Sequence, residues 1–317
     1  MAVIVADKQG RTDGSAHNFI QKIPTDMPIV LVSRVDDFVF NEELLSLDKY
    51  ILVNFFEMGW DFDWNDGGHL FGAGRSHYLK MFLSEEWKKF DDFVKNNPPM
   101  LTFQRELHKA DFNGNVYPIE YPNLTNKYEI QSRTEFNSRP ISCFFYWGRS
   151  NEIRVQTHGD IWKGASRHNY SVCDNVYYFK EFMTNEQGKK YISLWIPHYG
   201  RIDINHLLVI NNQSKLSLSL PGAGIKCFRS TGESCVNSVM VCLDDELAWS
   251  YPFEHGVNCI KINPNESVVE CIEKAMQRED LYEIYSRGMD TADKYRVENY
   301  INDYLLPKIN SLSKQPS

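Results

Sequence analysis

Short apolar runs alternate with longer amphipathic stretches along the whole chain, and this alternation sets the expected fold. Ala2–Ala6, Pro28–Ser33 and Tyr50–Phe56 read as strands, the last nearly continuous in apolar residues, as a strand covered on both faces requires. Asn41–Asp48 is a short helix candidate. Ser84–Lys95 is a longer one: Ser84 caps it, Trp87, Phe90, Phe93 and Val94 share a face, and Asn96-Asn97-Pro98-Pro99 stops it. Met100–Phe103 and Tyr117–Tyr121 are further strands. Residues 122–138 are polar and without period, which marks a linker. The same alternation then resumes with strands at Ile141–Tyr146, Asn175–Phe179 and Lys190–Ile196, and helices at Glu152–Trp162 and Ile204–Gln213. Lys215–Leu220, with leucines at every second position, and Val239–Leu243 are strands, as is Asn258–Ile262. Ser267–Met276 and Asp280–Leu306 are helical in period, the second with a break expected near Gly288.

Strands alternating with helices in both halves predict an α/β fold of two doubly wound, Rossmann-like units facing a cleft. The expected divisions are 1–135, 136–285, and a C-terminal helical segment 286–317 that packs back on the first unit. A hydrophobic share of 42% fits a packed globular chain, and a formal charge of −8 with pI near 5.6 argues against nucleic acid as partner. Any anion site must therefore be a local basic pocket. Val3-Ile4-Val5, followed at once by Asp7 and Lys8, is too short for a secretory h-region, and no apolar run approaches a membrane span. All seven cysteines lie from Cys143 onward without a C-x-x-C pair. That usage fits reduced thiols, no structural zinc and a cytoplasmic setting.

The chemistry concentrates in two stretches. Pro221-Gly222-Ala223-Gly224 breaks a strand and leads into a helix expected over 225–234, with Lys226, Arg229 and Glu233 on one face. Free N–H groups at a helix start favour an anion, so Gly222, Gly224, Lys226 and Arg229 form a diphosphate cradle, and Glu233 can accept two ribose hydroxyls. Arg149, just past the buried strand 141–146, is a second cation for the same diphosphate. The plain alternative is a strand-to-helix turn with an Arg229–Glu233 pair.

The other stretch is Phe56–His69, which holds Glu57, Trp60, Asp61, Asp63, Trp64 and His69 after a buried strand. Carboxylates beside aromatic rings suit a saccharide site. Asp61 is the first candidate for a general base, with Glu57 and His69 behind it, while Trp60, Trp64 and Asp63 would bind the acceptor. Asp36-Asp37 is a further base candidate. Asp61-Phe62-Asp63 also has metal-binding spacing, but metal use would leave the basic stretch at 222–233 without a role.

Arg139, Phe144 and Trp147-Gly148, then Ser214-Lys215-Leu216 with Leu218 and Leu220-Pro221-Gly222, then Arg229, Glu233 and a strand ending in Asp244-Asp245, resemble the donor domain of exostosin-like glycosyltransferases. The resemblance covers the second half only. The chain departs from that pattern in Gly232 before Glu233 and in lacking a proline before Val239. The resemblance implies a glycosyltransferase-B architecture and an inverting transfer, without metal or cofactor, from a UDP- or GDP-type sugar donor to a saccharide acceptor in glycan or polysaccharide synthesis. Two rivals stand beside it. A nucleotide-cofactor oxidoreductase or methyltransferase predicts a glycine fingerprint after the first strand, where Asp7–Thr12 has none. A non-catalytic saccharide-binding protein would use Trp60, Trp64 and Trp147 as its surface.

Overall fold

A computed structural model describes residues 3–10, 14–33, 38–55, 84–112, 114–122, 133–147, 170–173, 176–184, 190–195, 204–220, 226, 237–263 and 265–312. Two sheets organise them, and all but two of the strand pairings are parallel. The first sheet is β1 (Val3–Val5), β2 (Ile29–Val32), β3 (Ile51–Asn54), β4 (Leu101–Gln104) and β5 (Val116–Pro118), all parallel and in chain order across the sheet. The runs expected as strands are therefore present: the first three are trimmed by a residue or two at each end, β4 is shifted one residue along the chain, and β5 starts one residue early and stops three short of the expected Tyr121.

Period-2 alternation sends these strands' side chains to two separate cores. Ile29, Leu31, Ile51, Val53, Leu101 and Phe103 join one; Val30, Val32 and Leu52 join the other. On the second face lies α2 (Glu85–Asn96). Ser84 accepts the Trp87 N–H as its cap, and Trp87, Phe90 and Phe93 are buried. Asn41–Asp48 proves to be a single 3-10 turn, Glu42–Ser46, which buries Leu44. On the first face lie α1 (Gly14–Ile20), not anticipated from the sequence, and the C-terminal helix.

The second sheet has the order β12-β11-β10-β6-β9-β8-β7, with β6 (Ile141–Trp147), β7 (Tyr170–Cys173), β8 (Val176–Thr184), β9 (Lys190–Trp195), β10 (Ser214–Ser219), β11 (Val239–Leu243) and β12 (Ile260–Ile262). The alternation of strands and helices implies a wholly parallel sheet. Instead β8 runs antiparallel to both neighbours, because Cys173 pairs with Val176 across two residues and Thr184 with Lys190 across five, both too few for a parallel crossover. The core beneath this sheet joins Leu216, Leu218, Val239, Val241 and Ile260 to α4 (Val268–Met276) and α5 (Leu281–Lys294); α3 (Ile204–Asn212) delivers the chain to β10. Ser267 and Glu270 form a reciprocal capping box at the start of α4.

The expected helix break at Gly288 does not occur. Helix α5 runs through it, and the chain breaks instead at Tyr295–Arg296, where the last N–H groups bond three residues back and Arg296 turns extended. The chain then forms α6, a composite of Val297–Asn299, a π-helical segment Tyr300–Leu305 and a final stretch Leu306–Leu312. Pro307 explains the wide middle. Its ring would strike the carbonyl four residues back, at Asp303, so the preceding turn opens and the Leu306 N–H reaches the Ile301 carbonyl, five residues back. Tyr300, Ile301, Tyr304, Leu305, Ile309 and Leu312 of α6 share their core with Phe19, Phe55 and Phe103 of the first sheet's layer.

Candidate functional site

In a parallel sheet, ligands sit outside the carboxyl ends of strands where the strand order reverses. The first sheet has no reversal among its described strands. In the second, the chain leaves β6 for the far edge at β7 and returns inward through β8 to β9 beside β6; it then switches to the other side of β6, where it places β10 and beyond it β11 and β12. Strand β6 ends at Trp147, two residues before Arg149, and β10 ends at Ser219, three before Gly222. Gly222, Gly224, Arg149, Arg229, Glu233, Glu57, Trp60, Asp61, Asp63, Trp64 and His69 themselves lie outside the described residues, as does the expected helix over 225–234 apart from Lys226.

Lys226 is described, and its expected role is to lend positive charge to a diphosphate. Instead its side chain is 1% exposed, and its ammonium lies 2.6 Å from Glu120 Oε1 and also donates to the Ala248 carbonyl. The Trp249 ring lies 5.0 Å from it. The charge is matched inside the protein, so Lys226 holds structure rather than meeting a phosphate directly.

Apart from Ala248 and Trp249, the partners of Lys226 come from the carboxyl ends of the first sheet. Arg105 and Glu106 follow β4 at once, and Glu120 lies two residues past β5. Glu106 Oε1 accepts the Lys226 N–H at 3.0 Å, while the Arg105 guanidinium donates to the Lys226 carbonyl and stacks 4.8 Å over Tyr121. Glu120 is held in turn: the Tyr300 hydroxyl donates to its Oε2 at 3.0 Å and accepts its N–H at 3.1 Å, and the Ser250 N–H reaches its carboxylate at 3.3 Å. Burial pushes the Tyr300 hydroxyl well above the ordinary phenol range, so it stays a proton donor to this carboxylate.

A backbone seam runs beside this cluster. Lys109 N–H donates to the Glu246 carbonyl and Ala248 N–H to the Leu107 carbonyl, so the segment after β4 pairs with the segment after β11. The carboxyl ends of the two sheets thus meet through one buried ionic cluster and two main-chain bonds. None of Arg105, Glu106, Glu120 or Tyr300 stands out in the sequence. The signal is present for Arg105 and Glu106, since the strand-exit rule that selects Arg149 applies equally after β4.

Arg139, part of the sequence pattern, has a different place. It precedes β6 and bonds the carbonyls of Ser214 (2.9 Å) and Asn237 and the Tyr285 hydroxyl (3.1 Å), between the Phe136 and Tyr285 rings. It therefore ties the amino ends of β6, β10 and β11, away from any ligand edge. A separate cleft of about 400 Å³ lies against β12 and α4. Its cations are already matched: Lys261 to Asp244, Lys274 to Glu266 and Arg278 to Asp280. Such a surface offers no net charge to a ligand.

No family model and no curated protein matches the chain. Among solved structures it is similar to a chain of the GtfA/B complex, at 10% identity and a TM-score of 0.46, over 95% of this chain and 60% of that one. The chain therefore spans less than two thirds of that neighbour's length. No described helix is long and apolar enough to cross a membrane.

Proposed function

We propose that the protein is a glycosyltransferase of glycosyltransferase-B type that moves a sugar from a nucleoside-diphosphate donor to a saccharide hydroxyl. The observation that carries this reading is the strand-order reversal between β6 and β10, the crevice where this sheet type binds nucleotides. The residues that follow those two strands are Arg149 and the Gly222-Ala223-Gly224 turn, and the carboxyl ends of the first sheet abut the same side at Lys226. The resemblance of the second half to exostosin-like donor domains supports the same assignment.

In this reading the acceptor hydroxyl oxygen attacks the anomeric carbon from the face opposite the donor phosphate. Its proton passes to Asp61, with Glu57 and His69 as alternatives, while the bond from the anomeric carbon to the phosphate oxygen breaks and the electron pair leaves with the diphosphate. Arg149, Arg229 and the glycine-turn N–H groups stabilise that charge without a divalent metal, and Glu233 holds the ribose. Trp60, Trp64 and Asp63 hold the acceptor sugar.

Thermal stabilisation by UDP or GDP, and not by NAD or S-adenosylmethionine, is the expected result, followed by transfer from one member of a nucleotide-sugar panel in the presence of a chelator. Stabilisation by neither diphosphate would overturn the assignment. Loss of turnover on chelation would overturn the metal-free part alone.

A further inference from the structure

The cleft against β12 and α4 shares no lining residue with the donor and acceptor assignments above, and β12 is the edge strand two places beyond β10 among those described. Its volume of about 400 Å³ lies within the range of small-molecule sites, about 300–1,000 Å³. Ile260, Cys271 and Ala275, all buried, give it an apolar lining on one side. Burial pushes the Cys271 thiol up to about 12, so this sulfur is a neutral wall and no nucleophile at neutral pH.

The rest of the lining is polar, and three ion pairs hold it: Lys261 with Asp244, Lys274 with Glu266 and Arg278 with Asp280. Partly exposed pairs add little to stability. Grouped around one cleft, they fix the side chains and cancel their charges. Each also keeps bonding capacity beyond its partner. Among the described residues, Lys261 gives one of its three N–H groups to Asp244 Oδ1 at 3.0 Å, which leaves Asp244 Oδ2 as an acceptor. That bond holds the Asp244 carboxyl below its ordinary range, so it stays ionised. His255 Nδ1 accepts the Lys261 N–H at 3.0 Å, which puts the ring proton on Nε2 as a donor. Asn263 Oδ1 accepts the Asn265 N–H at 3.1 Å and leaves two donors on Nδ2.

The cleft thus offers fixed donors and fixed acceptors side by side, with no net charge. A phosphate would use the donors and be opposed by Asp244 and Glu266. An ammonium would use the acceptors and be opposed by Lys261, Lys274 and Arg278. A hydroxyl group both donates and accepts, and a sugar ring carries several of them around an apolar C–H face that suits Ile260 and Ala275. We infer that this cleft is a binding site for a neutral saccharide unit. Asp244 accepts from its hydroxyls, and Lys261, His255 and Asn263 donate to them. The site holds sugar without a nucleotide, and it does not depend on the donor reading.

The experiment is saturation-transfer NMR on the full chain with glucose, galactose, N-acetylglucosamine and disaccharides of each, with glucuronate and inorganic phosphate as charged controls. At least one neutral saccharide is expected to bind with a Kd of about 1 mM, and to slow amide exchange in residues 254–263. Neither charged control should do so. Asp244→Asn, which keeps the side-chain shape, and Asn263→Ala, at an exposed position, should each weaken binding about fivefold, the loss of one hydrogen bond, with the melting temperature unchanged. Should Asp244→Asn not fold, Asn263→Ala carries the test. No neutral saccharide bound at about 10 mM overturns the inference. So does binding that both variants leave intact, or exchange protection confined to other parts of the chain, since the sugar then sits elsewhere. A preference for phosphate or glucuronate overturns it as well. None of these outcomes touches the donor reading, which nucleotide binding decides.

Discussion

At the scale of single residues, sequence shows charge and structure shows whether the charge is used. Lys226 and Arg149 look alike in the sequence: cations next to strand exits. For Lys226 the answer is a carboxylate 106 positions earlier, Glu120, which no local window contains. Asp245 makes the same point with a measurable outcome. It follows β11, and Oδ1 accepts the Leu247 N–H at 3.0 Å and the Trp249 indole N–H at 3.2 Å. Burial outweighs these bonds and nearby Lys261 and Lys226, and raises its carboxyl above the ordinary range. A carboxyl raised on folding adds stability below its unfolded value and loses that contribution as pH climbs through the folded one. Asp245→Asn keeps an acceptor at Oδ1 and cannot ionise. The variant should therefore gain on the wild type between the ordinary carboxyl range and the raised value, and be the more stable protein at neutral pH, by about 1 kcal/mol or less. Urea melts across that range test this; a stability difference that does not move with pH would contradict it.

At the scale of elements, the chain is most legible where burial acts on both faces. Ile29–Val32, Ile51–Asn54 and Val239–Leu243 are apolar because a parallel strand is covered above and below, and neither a loop nor a surface helix requires such a run. Tyr170–Cys173 escapes a sequence reading because it is a four-residue edge strand with a serine inside, a pattern shared with loops. Gly288 departs from expectation for a local reason: glycine breaks helices on average, but here it admits a neighbour. A Cβ built on it would lie 2.8 Å from the Asn258 carbonyl oxygen. That carbonyl belongs to a turn braced by Asn258 Nδ2 donating to Thr291 (2.9 Å) and to the Pro252 carbonyl (3.0 Å), so it has little room to move. Gly288→Ala gains about 1 kcal/mol of helix propensity and meets an overpacking cost of about 1–3 kcal/mol. The clash should win, with a net loss of about 1 kcal/mol and a lower melting temperature. A stabilised variant would show that the turn yields.

At the scale of the molecule, the linker at 122–138 suggests that residues 1–135 are a unit, while the packing says that this stretch lacks part of its own core. One face of the first sheet is covered by Ala16, Phe19 and Ile20 of α1 and otherwise by Tyr295, Val297, Tyr300, Ile301, Tyr304, Leu305, Ile309 and Leu312 from the far end of the chain. Burying each such side chain contributes about 1.5–3 kcal/mol, so α6 and its approach supply on the order of 10 kcal/mol. That equals the whole net stability of an ordinary domain, about 5–15 kcal/mol. The same core reaches into the second sheet's layer through Met240, Phe253 and Cys259. Polar groups follow the same route, since Tyr304 donates to the Pro118 carbonyl at 2.9 Å and Tyr300 holds Glu120. Sequence order hides this because the contacting residues stand about 180 positions apart, and loop closure over such a span costs little more than over a short one. Residues 1–135 expressed alone should therefore keep helical and strand signal in the far-UV, lose near-UV aromatic signal, bind an apolar dye and melt without a sharp transition. The full chain should melt cooperatively. Adding residues 286–317 back by a flexible linker should restore near-UV signal and suppress dye binding. A sharp, dye-free melt for 1–135 alone would mean that the first sheet needs no cover from α6.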